Sequence, residues 1–150
     1  MRYFLDTEFN GFGGALLSLA LVPEDGGEFY VTLECSEPLL PWVEQNVAPF
    51  LDHVPVGLVS ERLSRREAAE ALSSYLAMDP RPELIADWPE DIAQFCALLL
   101  IGPGLMVPVP PLDFRLIPLQ GFSTAANSAV PHNALHDARA LREHVMGLEP

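Results

Sequence analysis

The sequence predicts an α/β domain: a mixed sheet of about five strands, the first three antiparallel, flanked by helices. Three observations carry this expectation. Strand and helix patterns follow in the order three strands, two helices, strand, helix, strand, helix, with no internal repeat. The short stretch Glu83 to Asp87 is apolar on both faces through Leu84, Ile85 and Ala86, as expected of a strand covered on both sides. At 150 residues, 49% hydrophobic and 19% charged, the chain can bury one full core, so residues 1–150 read as a single domain.

Arg2 to Phe9 is an apolar opening strand that closes at the flexible Asn10-Gly11 pair. Ala15 to Val22 is an apolar run bounded by glycines and Pro23. Glu28 to Leu33 alternates around Phe29, Val31 and Leu33, and the Glu24-Asp25-Gly26-Gly27 turn joins these two strands. Pro41 to Leu51 carries Val43, Val47, Phe50 and Leu51 at helical spacing, with Pro41 suited to a helix start. Ser64-Arg65-Arg66-Glu67 is a capping box, followed by the stripe Ala68, Ala69, Leu72, Tyr75 and Leu76. Beyond Glu83 to Asp87, a helix over Glu90 to Ile101 presents Ile92, Phe95, Cys96 and Leu99 on one side. Residues 102–111 form a proline-stiffened loop, Leu112 to Pro118 a last strand, and 119–130 a connection near the site. Asn133 to Met146 is the final helix, with Leu135, Ala138, Leu141 and Val145 inward.

The net charge of −13 rests on 21 acids against 8 basic residues, all of them Arg. Such a surface argues against gripping long duplex nucleic acid by phosphate neutralisation. It leaves room for a small substrate brought in by metal ions, which reverse the local field. Cys35 and Cys96 lie far apart, without the spacing of a zinc knuckle or disulfide scaffold, and read as buried thiols of a reducing compartment. Asp6 and Glu8 interrupt any secretory apolar region at the N-terminus. The apolar tract from Phe95 to Leu112 is broken by Gly102, Pro103, Gly104, Pro108, Pro110 and Pro111, too often for a membrane span. The expectation is a cytoplasmic protein.

Three segments concentrate the chemistry. Residues two apart on a strand share a face, so Asp6 and Glu8 form a carboxylate pair at a strand end. Their mutual repulsion requires a cation between them or a proton on one. In Ile85-Ala86-Asp87-Trp88-Pro89-Glu90-Asp91 a buried strand gives way to a helix, where ligands of mixed sheets gather; capping and the helix dipole would also account for these acids. In Pro131-His132-Asn133-Ala134-Leu135-His136-Asp137, Asn133 is a plausible N-cap. His132 on the entry loop can then face the same site as Asp137.

Together, Asp6-Thr7-Glu8, Asp91 behind a buried strand, and His132-X-Ala134-X-X-Asp137 at the last helix resemble the motifs of the DEDDh-type 3′-5′ exonucleases. This family lies within the RNase H-like superfold and includes RNase T, oligoribonuclease and polymerase proofreading domains. The resemblance spans nearly the whole chain, element order included. The Asp6-Thr7-Glu8-Phe9 opening and the helix from Trp42 to Leu51 look most like small stand-alone bacterial 3′-5′ exoribonuclease-like proteins.

The resemblance implies an RNase H-like sheet and a phosphodiester hydrolase that trims short single-stranded RNA or DNA from a free 3′ end, RNA favoured. By the same resemblance Asp6 would bridge two Mg²⁺ or Mn²⁺ ions, Glu8 and Asp137 would complete the first site, and Asp91 would help hold the second. Hard divalent ions take oxygen ligands of this kind. His132 would be the general base, a task that suits a side chain titrating near neutrality. Phe9 would wedge against the terminal base and Trp88 would stack on one. Family members carry a His-Asn or similar pair where this chain has Asp87-Trp88, and an aromatic where it has Glu90, so Asp87 remains a rival for the third acid. His136 competes for the base but lacks the spacing. Arg62, Arg65, Arg66 and Arg115 are candidates for phosphate contacts, and a homodimer is in keeping with the family. Two other readings use the same residues: a nucleotide or dinucleotide hydrolase, and a catalytically silent binding domain.

Overall fold

The strand that opens the chain, β1 (Arg2–Phe9), lies at the centre of the sheet. Its alternation sends Tyr3 and Leu5 into one core and Phe4 into the other, because successive strand side chains point to opposite faces. The computed structural model describes residues 1–149. β2 (Leu16–Pro23) pairs antiparallel with β1, and β3 (Phe29–Thr32) antiparallel with β2. β1 and β3 therefore run the same way, so the three strands are not all mutually antiparallel. β4 (Glu83–Ala86) joins the other side of β1 in parallel.

α1 (Pro41–Asn46), α2 (Arg65–Leu76) and α3 (Pro89–Leu99) precede a small antiparallel hairpin, β5 (Leu100–Gly102) with β6 (Leu105–Met106). β7 (Asp113–Leu116) adds parallel to β4, giving the order β3-β2-β1-β4-β7. α4 (Thr124–Asn127) and α5 (Ala134–Gly147) complete the chain. One face of the sheet is covered by α2 and α3 through Ala68, Leu72, Leu76, Phe95 and Leu98, the other by α5 through Ala134, Leu135, Ala138 and Leu141. No helix among the described residues is long and apolar enough to cross a membrane.

Several expectations are corrected. The helix expected over Pro41 to Leu51 ends at Asn46, followed by a single tight turn at Ala48–Phe50. Pro49 has no N–H to continue it and disfavours helical backbone at the residue before it. The helix expected to reach Ile101 stops at Leu99, since Leu100 turns extended and pairs with Met106 across a turn closed at Gly104, whose φ is +67°. Cys96 is exposed and Cys35 only half-buried. The inner stripe of α3 is Asp91, Phe95, Leu98 and Leu99; Cys96 stands one step, about 100°, round from Phe95. The last strand is shorter than residues 112–118, and every residue of it is exposed at the sheet edge.

Candidate metal centre

The site forms where β1 and β4 end, the place where parallel strands deliver ligands to a common crevice. Asp6 and Glu8 share the face of β1 that Phe4 turns towards α5, while Thr7 points to the α3 side. The β1–β2 register shifts between Glu8 and Phe9, an irregularity of the kind that re-aims side chains at a strand end. Just beyond, buried Asn10 receives a hydrogen bond at its Oδ1 from Leu40 N (2.8 Å) and donates from Nδ2 to Pro38 O (3.0 Å). Glu90 accepts from Gly13 N and Gln94 donates to Gly14 O, which ties the β1–β2 loop to α3. At Gly14 an added Cβ would stand 2.0 Å from Asn10 O, so that close approach requires glycine.

Asp91 lies in the first turn of α3, behind Pro89, and is buried. Its Oδ1 accepts from Thr7 N (3.1 Å) and Thr7 Oγ1 (2.6 Å), so β1 orients the third acid from its opposite face. Asp137 sits in the first turn of α5. Asn133 caps that helix, its Oδ1 accepting from Leu135 N and His136 N, and its Nδ2 donates to Phe50 O (2.8 Å). His132, one residue earlier, has φ +60°, a left-handed conformation uncommon for any residue but glycine and often found at functional sites.

Two groups of ligand atoms result, each lying within 4.8 Å of one another: Glu8, His132 and Asp137 in one, and Asp6, Asp87 and Asp91 in the other. Asp87 and Asp91, weighed as rivals in the sequence, thus stand together beside Asp6. His136 is turned elsewhere, its Nε2 bonded to His53 O at 2.9 Å. Phe9 is half-buried and Trp88 is 58% exposed.

Burial raises the proton affinity of every acid here, and at Asp6, Glu8, Asp91 and Asp137 neighbouring negative charge adds to it. Asp6 is pushed well above the usual carboxylate range by desolvation and then by Asp91, Glu8, Asp137 and Asp87. Glu8 rises to about 8 through desolvation, Asp137 and Asp91. Asp91 rises to about 7, with the Thr7 hydrogen bonds opposing, and Asp137 to about 6, with Ser128 and His132 opposing. No ion pair among the described residues involves these acids, and the buried Asp137 Oδ1 has no hydrogen-bond partner. Buried, uncompensated carboxylates of this density demand protons or cations. A set of carboxylate oxygens with one imidazole beside them fits hard divalent ions, and the orphaned Asp137 oxygen is a free ligand position for one.

An open cleft of about 440 Å³ adjoins Asp87, lined by Trp88, Pro118, Gln120, Phe122 and Thr124. Two exposed aromatics, one of them against His132, were not among the site residues expected from the sequence. Phe12 is 98% exposed at the tip of the β1–β2 loop between two positive-φ glycines; its place between Gly11 and Gly13 was the available signal. Trp42, 55% exposed on α1, packs its ring edge-on against His132, a proximity that no local pattern encodes. Of the arginines considered for phosphate, Arg62 is paired with Asp52, Arg66 with Glu70, and Arg65 donates to Ala97 O. Arg115 lies on the exposed edge strand β7. No protein-family model matches the chain, and no curated protein does either.

Proposed function

We propose that this protein is a divalent-metal-dependent 3′-5′ exonuclease of the DEDDh type in the RNase H-like superfold, acting on short single strands with a free 3′ end, RNA favoured. The observation that carries this reading is the meeting of Asp6, Glu8, Asp91, His132 and Asp137, from three distant segments, in two adjoining ligand groups. Two Mg²⁺ or Mn²⁺ ions bound there would stabilise charge on the attacking and leaving oxygens of phosphodiester hydrolysis. Asp6, which feels the acids of both groups, would be the ligand common to both ions, with Glu8 and Asp137 holding one and Asp91 with Asp87 the other. His132 accepts the proton of the attacking water. Trp88, on the wall of the cleft beside Asp87, offers a base a stacking surface, and Phe9 offers the terminal base a wedge at the strand end.

A second reading, hydrolysis of a nucleotide or dinucleotide, uses the same residues and is favoured by the acidic surface and by a cleft volume within the range of small-ligand sites. The complete acid and histidine set argues against a silent binding domain. Incubation of 5′-labelled RNA and DNA oligomers with Mn²⁺, Mg²⁺ or chelator separates these readings. The exonuclease shortens oligomers stepwise from the 3′ end only with metal, and Asp6→Asn abolishes it. That variant keeps or raises the metal-free melting temperature, because it relieves repulsion. Turnover of dinucleotides alone would select the second reading, and intact substrates under every condition the silent domain.

A further inference from the structure

We infer that Trp42 is the positioning residue for His132, holding the imidazole in the orientation from which it takes up the proton; this rests on the exonuclease reading above. The two rings meet edge-on, with centroids 4.9 Å apart and planes at 79°, the T-shaped arrangement that aromatic pairs favour. His132 needs such a support. Its backbone is left-handed at φ +60°, and such a conformation persists only where the surroundings enforce it. Unlike His136, which is anchored to His53 O, the His132 imidazole has no hydrogen-bond anchor among the described residues. Its other neighbours are the carboxylates of Glu8 and Asp137.

Trp42 is itself held with respect to both halves of the site. Asn10, two residues after Glu8, grips the chain ahead of α1 through Leu40 N and Pro38 O. Asn133, next to His132, grips the chain after α1 through Phe50 O. Gly11, against the Leu40 side chain, turns the chain with φ +74°, a conformation that favours glycine. Between the grips Val43 and Val47, with Leu51 just beyond the second, are buried with Leu17. The segments carrying Glu8 and His132 thus clamp both ends of the segment carrying Trp42. Trp42 itself contributes little to that core, being 55% exposed, so its burial does not account for its position, whereas its contact with His132 does.

The test combines kinetics with a readout that needs no activity. Trp42→Ala is expected to lower kcat for trimming by about tenfold to a hundredfold, since misplacing a reacting group by an ångström costs on that order. KM stays unchanged because the loss is confined to the transition state, and Trp42→Phe restores most of the rate. A raised KM at unchanged kcat would make Trp42 a substrate-stacking wall and overturn the proposal, as would an unaffected kcat. In metal-free protein, the proton NMR signals of the His132 ring, assigned by their loss in His132→Asn, should carry the ring-current shift of the indole. They should lose it in Trp42→Ala. Signals that do not move would defeat the positioning role, whereas absence of trimming by the unmutated protein would defeat the exonuclease reading instead.

Discussion

Thr7 shows how alternation divides the work of a strand: Asp6 and Glu8 are left to the α5 side, while the Thr7 backbone amide and hydroxyl donate to Asp91 on the α3 side. That leaves the acids themselves unneutralised, with a consequence for stability. Asp6, Glu8, Asp91 and Asp137 all have folded-state pKa values raised by burial, the last three to about 8, 7 and 6, against about 4 in the unfolded chain. The folded protein therefore holds protons that the unfolded chain has already lost. Unfolding free energy in chelator should fall as pH rises from about 4 to about 8, the window between the unfolded values and the folded values of Glu8, Asp91 and Asp137. Urea denaturation across that range measures this, and stability rising with pH would refute it. Saturating Mn²⁺ or Mg²⁺ should flatten the curve by stabilising most at the alkaline end, where the carboxylates are ionised.

At the scale of elements, Asn133 joins three pieces of structure with its side chain and its backbone amide. Its side chain caps α5 and holds the chain after α1 through Phe50 O, while its backbone N–H, bonded to Val130 O, closes the turn that carries His132. Replacing it with alanine removes the cap and leaves buried groups without partners, an expected loss of about 2 kcal/mol. Asn133→Ser keeps a cap while losing the reach to Phe50 O, so it should lose about 1 kcal/mol. Urea midpoints read both, with the slope unchanged if only stability is affected. Pro49, which ends the helical run early, matters in the same way. The tight turn after α1 is where Phe50 offers its carbonyl to Asn133.

For the whole molecule the charge of −13 sets how a polyanion can bind. Arg62, Arg66, Arg81 and Arg139 are engaged in ion pairs of their own, so few cations are left to meet phosphate. The affinity of Asp6→Asn protein for a short oligonucleotide, at constant divalent metal, should depend weakly on monovalent salt. A log–log slope no steeper than about −2 corresponds to two or three phosphates. A steeper slope, measured by fluorescence anisotropy, would reveal a basic path that the surface does not display.

The order of the five sheet strands and the main helices, the capping box at Ser64 and the acids at the ends of strands and helices were legible in the chain, whereas the central place of β1, the β5–β6 hairpin and the short α4 were not. The legible features rest on short-range rules: side-chain alternation, helical spacing and cap chemistry act between residues a few positions apart. The spacing of His132 and Asp137 distinguished them from His136 before any geometry was known. The folded geometry was needed to bring Asp87 to Asp91 beside Asp6, to set Trp42 against His132, to turn Cys96 outward and to assign Thr7 to Asp91. Those outcomes depend on which strand lies beside which and how each helix is rotated on the sheet. Packing between segments distant in the chain settles how these come together, and no local pattern records it.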